Sequence, residues 1–234
     1  MTPGTGAAGT SPAARPGGIG VSHGPDAIRI RLDRPPVNAF TVELLELFIA
    51  ALHKARDDPR PVLITGASGV FSAGFDIKHP TPDQSLADAA AQRAVTALQE
   101  HPRLTIAAVE GAAVGLGLLI ATSADVLVLS KAARLRMPEV RLGIAADVQP
   151  LRRFLPDPWI RRLCLLGEAF TAEQLHLGDA GGILCEPGGA EAQAEHIIAA
   201  AHDVSAIAVR RVKQQLNRSP EDSLKFFNVN VDEI

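Results

Sequence analysis

Cysteine is nearly missing from this chain of 234 residues: Cys164 and Cys185 are the only two, they stand far apart, and both sit in apolar runs. They read as reduced core thiols, and with no Cys-x-x-Cys pair and no Cys/His cluster nothing supports a structural zinc site. The seven histidines form no HxH or HExxH pattern and read as surface or internally satisfied groups. No stretch approaches the ~18 consecutive apolar residues of a membrane-crossing helix. The first residues lack the apolar core of a secretory signal, so the chain is expected to be cytoplasmic. Charge of one sign is missing too: 23 Lys and Arg against 26 Asp and Glu leave a net −3, so no whole-molecule field attracts nucleic acid or anionic membrane. Neither GxGxxG nor a Walker sequence is present, so no nucleotide-phosphate loop is supported, and no cofactor is expected.

What is present suits a globular enzyme-sized chain. Hydrophobic residues make up 47%, enough at this length for one large or two small domains with a core that needs no staples. Residues Met1 to Gly18 are almost all Gly, Ala, Pro, Thr and Ser and read as a disordered tail. From there the sequence alternates strand and helix patterns. Ile28, Ile30 and Leu32 alternate with Arg29 and Arg31 as in a half-buried strand. Thr41 can cap a helix carrying Leu44, Leu45, Phe48 and Leu52. Pro61 to Thr65, Leu104 to Val109, Val126 to Leu129 and Leu135 to Met137 read as strands. Ser85 to Glu100 reads as a helix, and Gly111 to Gly117 opens another. After Asp147 the segments are mostly helical, interrupted by the apolar run Gly182 to Cys185. This is an α/β pattern whose last third turns helical: a core over residues 19–190 and a helical C-terminal region over 191–234.

Two glycine-containing loops and two carboxylates are the places where chemistry could sit. The loops are Phe71-Ser-Ala-Gly-Phe-Asp-Ile-Lys78 and Val114-Gly-Leu-Gly117, the second directly before an apolar helix. Glycine permits close backbone approach, and a helix start offers free N–H groups. The plain alternative is two tight strand-to-helix turns. Glu139 follows Pro138 at a strand end and could simply pair with Arg136 or Arg141. Asp147 precedes Val148-Gln149-Pro150 and could simply cap a helical turn.

The first loop resembles the F-[SA]-A-G-[AF]-D-[IL] loop of the crotonase (enoyl-CoA hydratase/isomerase) superfamily. The resemblance continues through Ala108-Val-Glu-Gly-Ala-Ala-Val-Gly-Leu-Gly117, Ala124-Asp125 and Arg136-Met-Pro-Glu-Val-Arg-Leu-Gly143, in the family's order and spacing. It implies a crotonase fold, a spiral of ββα units followed by a helical region, usually assembled as homotrimers or dimers of trimers. It implies an acyl-CoA thioester whose enolate oxygen is held by two backbone N–H groups, here those of Phe75 and Leu116. By the same resemblance, Pro36, Val37, Ala73, Gly74, Asp76, Ile77, Lys78, Gly115 and Leu119 would line the CoA and substrate site, Lys78 as a phosphate partner. Leu116 replaces the family's usual small residue, and the chain ends soon after Phe226-Phe227, before the family's usual last helix.

Carboxylates decide the reaction. Hydratases of the family use two glutamates; one matches Glu139, while Leu119 stands where the other would be and can hold neither proton nor water. The segment Glu139 to Val148, with Leu151 and Arg153 beyond, is most similar to dienoyl-CoA isomerases, in which a Glu and an Asp at this separation shuttle protons at opposite ends of the conjugated system. The sequence therefore favours double-bond isomerisation, with Glu139 exchanging the C2 proton and Asp147 the distal one. The alternatives are hydration, decarboxylation or thioester hydrolysis, or a non-catalytic acyl-CoA binding protein.

Overall fold

A computed structural model describes residues 18–79 and 83–217. The expected tail up to residue 17, Pro80 at the end of the first loop, and the C-terminal region beyond residue 217 lie outside the described residues. Gly18, assigned above to the tail, instead begins β1 (Gly18–His23), a strand the sequence reading did not name. Its antiparallel partner is β2 (Ile28–Asp33), with Gly18 opposite Asp33 and His23 opposite Ile28.

Helix α1 (Val42–Ala55) starts at the Thr41 cap, whose hydroxyl accepts from the Leu44 N–H at 3.2 Å. It buries Leu44, Leu45, Phe48 and Leu52, the apolar positions with helical spacing. β3 (Val62–Gly66) is followed by the first glycine loop and then α2 (Gln84–Gln99), capped by Asp83 and packed through Ala87, Ala90, Ala94 and Leu98. Next come β4 (Thr105–Val109), β5 (Ala112–Val114), α3 (Leu116–Ser123), β6 (Val126–Ser130) and β7 (Arg134–Arg136). Here the expectation for Gly111 to Gly117 needs correction: Ala112–Val114 is strand, and the helix begins only at Leu116. Parallel pairing with β7, Ala112 to Arg134 and Val114 to Arg136, fixes those three residues as extended. The remainder is α4 (Asp157–Leu166), β8 (Ala169–Thr171), α5 (Ala172–His176), β9 (Ile183–Cys185), α6 (Ala190–Ala200) and α7 (Ala206–Leu216).

Two sheets organise these elements. The larger has the order β1-β2-β3-β4-β6-β9, parallel except for β1; the smaller has the order β5-β7-β8. Each turn of the chain lays one strand in the large sheet, a short extended stretch in the small layer, and then a helix. Even turns without a named second strand obey this, because Phe40 bridges Phe75 and Ser72 bridges Ala113. The result is a spiral of ββα units. α6 joins this core: Ala190, Ala194 and Ile198 pack on Leu63, Ile106, Ala108 and Val128.

α7 is fastened by a polar contact. Lys213 is buried, and its Nζ donates to Asp125 Oδ2 at 2.5 Å and to Arg103 O at 2.9 Å. Asp125 Oδ2 also accepts from the Thr105 N–H and hydroxyl, both at 2.8 Å. His101, read above as a surface or satisfied group, is wholly buried. One ring nitrogen accepts from the Arg103 N–H, and the other has no hydrogen-bond partner among the described residues. Burial pushes its pKa down to about 4, so it is neutral.

Candidate active site

The first loop is held by groups that lie far away in the chain. Asn38 is buried with φ 52°, and its amide nitrogen donates to Ala67 O at 3.0 Å and Val70 O at 2.7 Å. Ser72 Oγ donates to Asn38 O at 2.7 Å and accepts from the Gly74 N–H at 3.1 Å. The Ala73 N–H donates to Val37 O at 2.9 Å, which ties the exposed Pro36-Val37 turn to the loop. On either side of Phe75, Gly74 O accepts from the Phe40 N–H at 2.7 Å and the Asp76 N–H donates to Phe40 O at 2.9 Å. In a parallel bridge, the residue between two such bonds turns its own N–H the other way. Among the described residues, the Phe75 N–H has no acceptor.

The other side is the second loop. Gly74 has φ 85°, and a Cβ there would come within 2.7 Å of Val114 O and 3.4 Å of Leu116 N. Glycine is therefore required at 74 for the two loops to touch. Gly117 meets Ser72 as closely, with 2.6 Å between a hypothetical Cβ and Ser72 O. Leu116 is the first residue of α3, so its N–H has no intrahelical acceptor, and none is found among the described residues. Two free peptide donors, those of Phe75 and Leu116, thus arise from two loops in direct contact. These are the two N–H groups that the family resemblance offers as oxyanion donors.

Glu139 completes the group. β5 and β7 run in register to Val114 and Arg136, and the Gly115 N–H donates to Arg136 O at 2.9 Å. The chain after β7 turns through Met137 and Pro138 into a short 3-10 helix, Glu139–Leu142. That route lays the Glu139 carboxylate on Gly115. Gly115 has φ 53°, and a methyl at this position would collide with Glu139 Oε1. Glu139 Oε2 is buried with no hydrogen-bond partner among the described residues. Burial raises its pKa above the ordinary 4.5. The expected pairing with Arg136 or Arg141 does not form: Arg136 Nε donates to Gly167 O and Arg141 Nη2 to Leu166 O. Leu119 lies on the face of α3 above Gly115 and Leu116, buried among apolar side chains.

The remaining expected site residues divide. Asp76 organises the loop: Arg34 Nη2 donates to its Oδ2 at 2.6 Å, and the Lys78 and His79 N–H groups donate to its Oδ1. The Arg34 guanidinium holds the Asp76 pKa down at about 2. Ile77 and Lys78 are exposed beside it. Asp147 is exposed, and its Oδ1 accepts from the Gln149 N–H at 2.9 Å, a turn contact two residues on; it is not the N-cap offered above, because Val148 holds that place before the 3-10 turn Gln149–Arg153. Asn38, Ser72 and Arg34 were not assigned roles from the sequence, although Ser72 stood inside the quoted motif. Cys164 on α4 is free and half-buried, and burial, with the Glu139 charge, lifts its thiol to about 11. No cluster of metal-ligating side chains occurs among the described residues, and no helix of theirs is long and apolar enough to cross a membrane.

Comparison with known proteins identifies the family. The profile of the enoyl-CoA hydratase/isomerase family matches residues 25–230. The chain belongs to the enoyl-CoA hydratase/isomerase family. It is 32% identical over 160 residues to a probable enoyl-CoA hydratase of Bacillus subtilis, and 34% identical over 157 residues to a carnitinyl-CoA dehydratase of Salmonella arizonae. These matches cover 64% and 63% of this chain but only 62% and 60% of the relatives' own length. Among solved structures, DspI of Pseudomonas aeruginosa superposes with a TM-score of 0.78 at 26% identity, over 90% of this chain and 94% of that one. A putative enoyl-CoA hydratase from Thermobifida fusca, solved in complex with CoA, gives 0.77 at 26% identity over 88% of each chain. The spiral of ββα units is accordingly the crotonase fold of this enoyl-CoA hydratase/isomerase family member.

Proposed function

We propose that this chain is an enzyme acting on an unsaturated acyl-CoA thioester, and that it moves a double bond through an enolate. The observation that carries the proposal is the contact of Glu139 with the loop that supplies the Leu116 N–H. A carboxylate with a raised pKa, next to two free peptide donors, suits reversible proton transfer at the carbon beside a thioester carbonyl. Glu139 takes the proton from C2, and the C–H electron pair passes into the enolate. The enolate oxygen receives the Phe75 and Leu116 N–H groups. The conjugated double bond then takes the proton at its far end, which completes an isomerisation with no water consumed.

Two features support isomerisation over hydration. Leu119 places an apolar side chain where a second acid would hold a water. Asp147 supplies the second carboxylate of the dienoyl-CoA isomerase pattern, and it would return the proton when the shift spans the longer conjugated system. With its Oδ1 engaged by Gln149, Asp147 is not required for a shift across three carbons, which Glu139 can carry alone. The second reading, hydration or dehydration, is favoured by the names of the relatives. As in the CoA-bound neighbour, coenzyme A would belong to the bound molecule.

The test is turnover against a panel of 2-enoyl-, 3-enoyl- and dienoyl-CoA thioesters, with wild type and Asp147→Asn compared. Isomerisation without brisk hydration of crotonyl-CoA is expected. The Asn amide oxygen can accept from the Gln149 N–H as the Asp oxygen does, so Asp147→Asn should fold normally. It should abolish the dienoyl reaction and spare the 3-enoyl one. Brisk hydration of crotonyl-CoA overturns the isomerase reading. Micromolar binding with no turnover on any substrate makes the protein a non-catalytic acyl-CoA binder.

A further inference from the structure

Two cations flank Glu139 in the chain, and both turn to the same place elsewhere. Arg136 Nε donates to Gly167 O at 3.2 Å, and Arg141 Nη2 donates to Leu166 O at 2.9 Å. Leu166 ends α4, and Gly167 is its cap, with φ 62°. Helix C-termini leave carbonyls without donors and carry partial negative charge, so two guanidiniums fit there. The fit at Gly167 is tight: a Cβ would lie 2.7 Å from Arg141 Nε and 3.2 Å from its Cγ and Cδ. The turn carrying Glu139 is thus pinned at both ends. Arg136 also offers its carbonyl to the Gly115 N–H, so the same residue joins the α4 cap to the loop that touches the carboxylate.

We propose that Arg136 and Arg141 are positioning residues for Glu139: by gripping the end of α4 they fix the Glu139 turn against Gly115 and are themselves kept off the carboxylate. The charged or titratable groups on the packed elements are few. α4 presents Cys164 and Arg162, with Asp157 at its start and Arg161 in its middle; Arg162 is engaged by Glu168 and lies over the Trp159 and Phe170 rings, and the 3-10 turn Gln149–Arg153 carries Arg152, paired with Asp157, and Arg153, paired with Asp125. α3 and β5 carry none. Release of Arg141 frees a cation two residues from Glu139 in the chain, and its approach to the carboxylate would lower the Glu139 pKa and make it a poor proton donor. This inference rests on Glu139 being the proton carrier, but its main readout needs no turnover.

The experiment titrates the Glu139 carboxyl by carbon-13 NMR, with the resonance assigned through Glu139→Gln. Wild type, Gly167→Ala and the double variant Gly167→Ala/Arg141→Leu are compared. Gly167→Ala expels Arg141 from its seat and should lower the Glu139 midpoint by about one unit or more, as an opposite charge at short range does. The double variant, which has no released cation, should recover part of that drop. An unchanged midpoint in Gly167→Ala overturns the proposal, and so does a lowered midpoint that persists in full in the double variant. If Gly167→Ala does not fold, Arg141→Leu and Arg141→Lys carry the test. Leu should lower kcat roughly ten- to hundredfold with KM nearly constant, as expected for a misplaced catalytic group, and Lys, which keeps a donor for Leu166 O, should restore most of it. Equal activity in all three, or a loss confined to KM, overturns the proposal. Full activity in Glu139→Gln would instead remove the proposed function, leaving the titration result standing by itself.

Discussion

Glu139→Gln is expected to lower turnover by about 10²–10⁴-fold, the usual contribution of a general acid–base group, while the protein becomes more stable at neutral pH. Both effects have one cause. The carboxylate is partly buried against Gly115, with Oε2 unpaired among the described residues and no cation beside it. Burial raises its folded pKa above the unfolded value near 4.5, so the folded state binds the proton more tightly. The favourable contribution of the neutral acid is fully present below the unfolded value. It is lost as pH rises through the raised folded one. At neutral pH the ion is a net cost to the fold, which a neutral amide of the same shape avoids. Thermal melting at pH 4, below the unfolded value, and at pH 8 checks this. The gain of Gln over Glu should grow between the two, and a constant difference would contradict the burial argument. Turnover within twofold of wild type would remove Glu139 from the chemistry.

Leu116→Pro should be the other severe lesion, at about 10²–10³-fold in kcat, the measured scale for one lost oxyanion donor. Proline deletes the N–H, yet it is tolerated at the first position of a helix, where α3 has Leu116. The buried Leu side chain is lost as well, so Leu116→Ala is the control: it keeps the N–H and carries only the packing defect, roughly 2–5 kcal/mol of stability. Separation of the two in kcat at equal folded fraction is the expected result. If Ala and Pro lower kcat alike, the peptide donor is not what position 116 supplies.

The legibility of this molecule in its sequence follows the range of the interactions. Thr41 capping α1 is a contact across three residues, and the apolar runs of β3, β4 and β6 state their burial directly. β5 and β8 were illegible because each has only three residues, and their extended form comes from pairing with β7 rather than from composition. The Asn38–Ser72 link crosses 34 residues, so nothing local marks Asn38 as the keeper of the first loop. The free N–H groups of Phe75 and Leu116 were legible through the family motif, since peptide groups follow from backbone position whatever the side chain. The freedom of Glu139 was not. Arg136 and Arg141 invite an ion pair in the sequence, and only the end of α4, 25 and 31 residues further on, outcompetes it.

The Lys213–Asp125 contact also sets how this sequence can drift. Removing Asp125 leaves the Lys213 charge buried without its counterpart, which is far more costly than exchanging both for apolar residues of similar size, whereas loss of Lys213 still leaves Asp125 with Arg153 at 3.6 Å. Asp125 also receives the backbone N–H and hydroxyl of Thr105, so its replacement disturbs the start of β4 as well as α7. Positions 125 and 213, separated by 88 residues, are therefore coupled. A chain with Asp125 alone replaced is expected to be less stable than one with both replaced by apolar residues, which thermal melting of the single and double variants checks.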